Sequence, residues 1–149
     1  MIGGFKYLLD SDTKTATLVP NTEKYAGDVV IPESVKAKDG NDYKVTAFGD
    51  ECFDYCFDLT SITIPSSVTS IGGSCFYGCC GLTSITIPSS VTSLGSECFL
   101  GCSSLTSITI PSSVTSFGSE CFRGCSGLTS ITIPSSVTSL GDFCFKECI

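Results

Sequence analysis

A 23-residue period constrains the fold of this chain more than any other feature. The stretch Leu59–Gly81, LTSITIPSSVTSIGGSCFYGCCG, returns at Leu82, at Leu105 and, one residue short, at Leu128. Its prolines, Pro65, Pro88, Pro111 and Pro134, fall 23 residues apart. Self-similarity at a period of about 20 to 50 residues marks a solenoid, whose repeats stack only on their neighbours. The chain of 149 residues is then one domain with no need of a globular core.

Within SITIP, Ile62 and Ile64 alternate with Ser61 and Thr63, which is strand periodicity in β-branched residues. Pro65 has no N–H for a ladder and ends the strand. Ser66-Ser67 reads as a turn, and Val68 and Ile71 return inward along a brief extended segment. A glycine follows at Gly72, Gly95, Gly118 and Gly141, where the backbone is expected to bend without a Cβ penalty. Ser96, Ser119 and Asp142 then occupy N-cap positions, with Glu97 and Glu120 just inside, so the spacing predicts a short helical turn. Cys98 and Cys102 would share one face of it. Successive strands must lie parallel, and right-handed crossovers are strongly favoured. The expected fold is a right-handed repeat solenoid with one parallel β-sheet face and short helical turns opposite. Its core is a set of ladders of Ile, Val, Phe and two columns of cysteine.

The recurring pattern L-x-x-I-x-I-P-x-S-V-x-x-I-G-x-x-x-F-x-x-C resembles the BspA-type leucine-rich repeat, from Asp28 to the C-terminus. One departure stands out. The position before Phe76, usually small in that family, is cysteine in every copy. The resemblance implies an α/β solenoid of the leucine-rich-repeat type, a cell-surface or secreted binding module often used in adhesion, and no catalytic residues.

Ahead of the repeats, Phe5–Leu9 and Thr15–Val19 flank the turn-rich Asp10-Ser11-Asp12 and read as a β-hairpin. Residues 1–27 are thus expected to be an N-terminal hairpin cap with a linker, covering the first repeat's open edge. Residues 28–149 are expected to be the array, about five repeats, the first carrying an insertion at 36–44. That insertion, KAKDGNDYK, reads as a solvated hairpin loop. Asp39, Asn41 and Asp42 are oxygen donors, but they lack the spacing and terminal Glu of an EF-hand calcium loop. The N-terminal apolar run is too short for a signal peptide, and no 18-residue apolar run offers a membrane span.

Chemistry is sparse. The chain has no histidine, which removes Ser-His and Cys-His nucleophile pairs and most catalytic zinc sites. No phosphate-cradling loop is present, so neither an enzymatic activity nor a cofactor is expected. The net charge of −7 argues against a polyanion partner such as nucleic acid, because phosphate binding needs clustered Lys and Arg. Residues 1–58 hold 6 basic and 11 acidic side chains, and residues 59–149 only 2 and 4, so the repeats are nearly uncharged. Ten of the eleven cysteines form five C-x3-C pairs, beginning with Cys52/Cys56 and ending with Cys144/Cys148. Even spacing along a coil is wrong for zinc, which needs four converging thiolates. Ladder disulfides fit the repeat stagger. Five-membered ladders cannot pair completely, however, and cysteine packs well as a small hydrophobe, so reduced core thiols are the expectation. Cys80 belongs to neither ladder and should be the exposed thiol.

With the isoleucines inward, the outward strand positions are Ser61, Thr63, Ser84, Thr86, Ser107, Thr109, Ser130 and Thr132, a stripe of hydroxyls. Asp28 and Val30 break it in the first repeat. In leucine-rich repeats the sheet face is the usual binding surface, and the resemblance therefore points to a protein or glycan ligand there. The stripe is the same in every copy, which suits a periodic ligand. It equally suits a structural spacer whose hydroxyls only keep the sheet soluble, and it superficially resembles the face of ice-binding solenoids. Tyr77, Leu100, Arg123 and Lys146 vary between copies and belong to the opposite side. At the C-terminal end, Phe143 stands where the other copies have Glu or Ser, and Ile149 is apolar at the tip. Either further chain follows or the C-terminal repeat self-associates weakly about a two-fold axis.

Overall fold

The computed structural model describes residues 1–148; Ile149, read from the sequence as an apolar tip, lies outside them. Twelve short strands and no helix make up the described chain. They are β1 (Tyr7–Asp10), β2 (Thr15–Leu18), β3 (Gly27–Val30), β4 (Ser34–Lys36), β5 (Asp42–Phe48), β6 (Leu59–Thr63) and β7 (Ser70–Ile71). After them come β8 (Ser84–Thr86), β9 (Ser93–Leu94), β10 (Ser107–Thr109), β11 (Ser116–Phe117) and β12 (Ser139–Leu140).

Each coil has three sides. The return segment after the proline turn, expected to be only a brief extended piece, builds the larger sheet. There β2, β5, β7, β9, β11 and β12 follow one another in parallel. Strand β1 adds antiparallel to β2, and β4 pairs antiparallel with β5, so the insertion is a hairpin between those two. The Ser-Ile-Thr strands form the second side, and here the expected single sheet is interrupted. Strand β3 pairs with β6 and β8 with β10, but these are two separate two-stranded sheets.

The third side corrects the helical expectation. It is a chain of tight turns in which alternate N–H groups leave the coil altogether. Ser74, Phe76 and Gly78 donate to the carbonyls of Ser96, Cys98 and Leu100, at 2.7–2.8 Å. Glu97, Phe99 and Gly101 do the same one coil further on, to Ser119, Cys121 and Arg123. Glu97 has φ +58° and Glu120 φ +55°, so neither occupies a helical first turn. A left-handed residue at this step turns the peptide so that its N–H faces the next coil rather than its own.

Inside, equivalent side chains stack in register. Leu59, Leu82 and Leu105, Val68, Val91 and Val114, and the isoleucines of the strands are buried. The rings of Phe53, Phe76, Phe99, Phe122 and Phe145 form one column with centroids 5.2–5.5 Å apart and planes within 4°. Rings related by near-pure translation report the coil-to-coil step. That step exceeds the ~4.8 Å spacing of hydrogen-bonded strands. On the Ser-Ile-Thr side the strands are paired two by two, β3 with β6 and β8 with β10.

The repeated glycine is explained differently from the expectation. Gly95 needs no left-handed backbone; a Cβ placed on it would lie 2.6 Å from the backbone N of Gly73 in the coil below. It marks a point where two backbones touch. In the last coil Leu128, Ile131, Ile133, Val137 and Phe145 are only partly buried, because nothing described stacks on their outer side.

Candidate binding face

The hydroxyl stripe divides where its strands divide. Within the pair β8–β10, Ser84 stands opposite Ser107 and Thr86 opposite Thr109, all exposed. Within β3–β6, Asp28 stands opposite Ser61 and Val30 opposite Thr63. The Asp28 carboxylate accepts from Ser61 Oγ at 2.7 Å and Thr60 Oγ1 at 3.1 Å, which lowers its pKa below the usual carboxylate value. Ser61 is accordingly half-buried and engaged within the protein, while Thr63 is free and exposed. Ser130 and Thr132 are exposed but lie outside any strand, a departure from the expected ladder.

Between the pairs the face opens into two equivalent grooves. One, of about 330 Å³, is lined by Ser61–Ile64, Ser84–Thr86 and Pro88. The other, of about 340 Å³, is lined by Ser107–Ile110, Ser130–Thr132 and Pro134. Two coils separate them, and each offers hydroxyls above a floor of isoleucine side chains. The sequence shows the hydroxyls through simple alternation. It does not show the grooves, which lie where successive Ser-Ile-Thr segments are not paired.

A larger hollow of about 770 Å³ lies between the N-terminal segment and the insertion hairpin. Met1, Ile2, Leu9 and Ala37 make it mainly apolar, and of its lysines Lys36 is paired with Asp42 at 3.3 Å. In the insertion, Asp39 accepts from the Tyr43 hydroxyl at 2.6 Å and the Asn41 amide at 2.9 Å. Those bonds close the loop on itself, and no cluster of three metal-ligating side chains occurs among the described residues.

All eleven cysteines are free thiols. The second cysteine of the last four pairs has a role the sequence does not reveal. Cys79, Cys102, Cys125 and Cys148 donate Sγ–H to the carbonyls of Phe53, Phe76, Phe99 and Phe122, one coil back, at 2.8–3.1 Å. Burial pushes the Cys98 and Cys125 thiols up to about 12, and raises those of Cys75, Cys79, Cys102 and Cys121 as well. Thiols so placed are structural rather than reactive. Only Cys80 and Cys148 are partly exposed. Alkylation of the native protein at neutral pH is therefore expected to stop at these two, with the other nine reacting only after denaturation. Modification of a third thiol without loss of the fold would overturn that packing.

A family model described as the BspA type leucine rich repeat region matches residues 43–149, in six copies. Among solved structures, a leucine-rich repeat protein from Bacteroides ovatus is 37% identical, with a TM-score of 0.92 over 99% of this chain and 38% of its own. A T. pallidum leucine-rich repeat protein is 30% identical, with a TM-score of 0.84 over 97% of this chain and 64% of its own. A leucine-rich cell surface protein from Faecalibacterium prausnitzii is 28% identical, with a TM-score of 0.53 over 99% of this chain and 52% of its own. This chain thus spans less than two thirds of each. No curated protein matches it.

Proposed function

Because this chain belongs to the BspA-type leucine-rich-repeat family, we propose that it is a non-catalytic binding or adhesion module, working at a cell surface or after secretion, whose ligand lies along the Ser/Thr face. The observation that carries this reading is the pair of equivalent hydroxyl-lined grooves, repeated at a two-coil interval. A groove of this kind offers many weak, uncharged hydrogen bonds and a shallow apolar floor. Those features suit a periodic ligand, a glycan chain or an extended protein segment, better than a single charged small molecule. The neighbouring cell surface protein from F. prausnitzii is consistent with the location. In this reading residues 1–27 act as the cap of the array and residues 28–149 as the array itself.

The spacer alternative draws on the sameness of the hydroxyls in successive copies. Ice binding draws on the same feature but needs an evenly spaced lattice, and the two-by-two pairing of the strands supplies an uneven one. A glycan and protein binding screen separates these readings. The wild-type chain should give specific hits that vanish in the Thr63/Thr86/Thr109/Thr132→Lys variant, with thermal stability unchanged. An empty screen for both proteins would favour the spacer, and thermal hysteresis in the wild type alone would favour ice.

A further inference from the structure

On the turn side, one stretch of the array breaks its own repeat. Where the next three coils carry Gly78, Gly101 and Gly124, the first carries Tyr55. Where they carry Cys80, Ser103 and Ser126 it carries Phe57, and Asp58 takes the place of Gly81, Ser104 and Gly127. The three glycines Gly78, Gly101 and Gly124 are left-handed, at φ +70° to +76°, and Tyr55 keeps that backbone at φ +53°. A bulky side chain in this region is an outlier, and the later coils make the same turn with glycine. Neither ring is needed by the core, since Tyr55 is 46% and Phe57 56% exposed.

The exposed aromatic side chains cluster. The Tyr55 ring lies 5.8 Å from Phe57 and 5.3 Å from Tyr77. Gly78 makes room for it, because a Cβ there would come within 3.0 Å of the ring. Tyr55 divides two hollows. The smaller, of about 140 Å³, is lined by Glu51, Asp54, Ser74, Tyr77 and Glu97 as well as Tyr55. The larger, of about 260 Å³, is bounded by Tyr55, Phe57, Asp58 and the segment Lys24–Ala26. Four carboxylates thus border this aromatic cleft against one ammonium, that of Lys24, which pairs with Asp54 at 2.8 Å. Arg123, further along the turn side, is taken up by Glu120 at 2.7 Å and Glu147 at 3.4 Å. Among the described residues Glu51, Asp58 and Glu97 have no ion-pair partner, and the carboxylates are not gathered as a metal site. Exposed rings rimmed by polar groups mark interaction surfaces. Ring faces beside carboxylates attract a cation both through their quadrupole and through charge.

We propose that this cleft is a second docking site, on a different side of the coil from the Ser/Thr face, for an arginine-bearing segment of a protein partner. The guanidinium occupies the smaller hollow, against the tyrosine rings, with its charge met by Glu51 and Glu97. The aliphatic stem and the next apolar side chain lie along Phe57. Arginine fits better than lysine, because a planar guanidinium stacks on a ring while its edge meets carboxylates. The site stands independently of any ligand on the Ser/Thr face.

Hexa-arginine is the probe, titrated by calorimetry at low salt into wild type and into Tyr55→Gly/Phe57→Ser. That variant copies Gly101 and Ser103 of the third coil, removes no charge and should fold at least as stably. It should bind hexa-arginine about tenfold more weakly, in line with a partly desolvated cation–π contact. Glu51→Gln/Glu97→Gln should also weaken binding. Asp12→Asn/Asp42→Asn, equal in charge but outside the cleft, should change it by less than about twofold, because distant surface charges are screened. Hexa-lysine should bind wild type more weakly than hexa-arginine does. Equal losses in the two carboxylate variants, or a Tyr55→Gly/Phe57→Ser variant that binds like wild type, would mean diffuse attraction to an acidic chain and overturn the proposal. Absence of binding to wild type would overturn it as well. Should the aromatic double variant lose its circular dichroism, Tyr77→Leu, which copies Leu100, is the variant read.

Discussion

Phe99→Ala is expected to destabilise the chain by about 3–5 kcal/mol, the usual cost of truncating a core phenylalanine. The ring is fully buried and lies between two parallel neighbours, Phe76 at 5.3 Å and Phe122 at 5.4 Å. Its loss removes transfer free energy and two stacked contacts, each worth roughly 0.5–1.5 kcal/mol beyond area. The cavity is not easily filled, because the neighbouring rings are held at the coil step by backbone bonds on both sides. Position in the column should set the size of the effect. Phe145 has one neighbour and is partly exposed, so Phe145→Ala should cost less than half as much. Urea titrations of the two variants check both magnitude and order. A Phe99→Ala loss below about 1 kcal/mol would mean that the column is not what holds the coils in step.

How much of this was visible in the residues alone depends on which neighbour decides the geometry. Alternation within SITIP depends on one strand, and it placed Ile62, Ile64 and their equivalents inward and most of the hydroxyls outward. The 23-residue spacing fixed the stacking of Phe on Phe and Cys on Cys. The turn side misled because Ser96-Glu97 with Cys98 and Cys102 four apart satisfies every local rule for a capped helical turn. What overrides those rules is the coil above, whose carbonyls take the Glu97, Phe99 and Gly101 amides. A glutamate at φ +58° carries no signal in its own residue type. The Ser-Ser turn is a similar case. Ser113 Oγ bonds the Val91 carbonyl at 2.6 Å and Ser136 Oγ the Val114 carbonyl at 2.8 Å, so the second serine ties coil to coil. The grooves were hidden for a broader reason, since alternation within one strand does not say which neighbouring strands pair.

The largest effect of solution conditions should come from the buried thiols, as a steep loss of stability above pH 9. Cys98 and Cys125 hold their protons up to about 12 in the folded state, against 9.0 for the unperturbed thiol, and desolvation is the leading cause in both. A thiol whose folded value is raised contributes its full stability below the unfolded value. It then loses that contribution as the pH climbs toward the folded one, because the unfolded chain releases the proton first. Each such thiol should subtract about 1.4 kcal/mol per pH unit between the two values. Two of them would remove about 4 kcal/mol by pH 10.5, a large share of the 5–15 kcal/mol typical of a domain. Cys75, Cys79, Cys102 and Cys121 shift in the same direction, as does the half-buried Tyr7, so no group among them offsets the trend. The lowered carboxylates Asp10, Asp28 and Asp39 are exposed and act only at acid pH. Urea midpoints measured from pH 7 to pH 11 should therefore be level to about pH 8.5 and then fall sharply. Cys98→Ala and Cys125→Ala should each lower the starting stability and flatten the alkaline slope. A wild-type slope that stays level to pH 11 would mean that the thiols are ionised, oxidised or hydrated in the folded chain, and that the two cysteine columns are not the dry ladders described above.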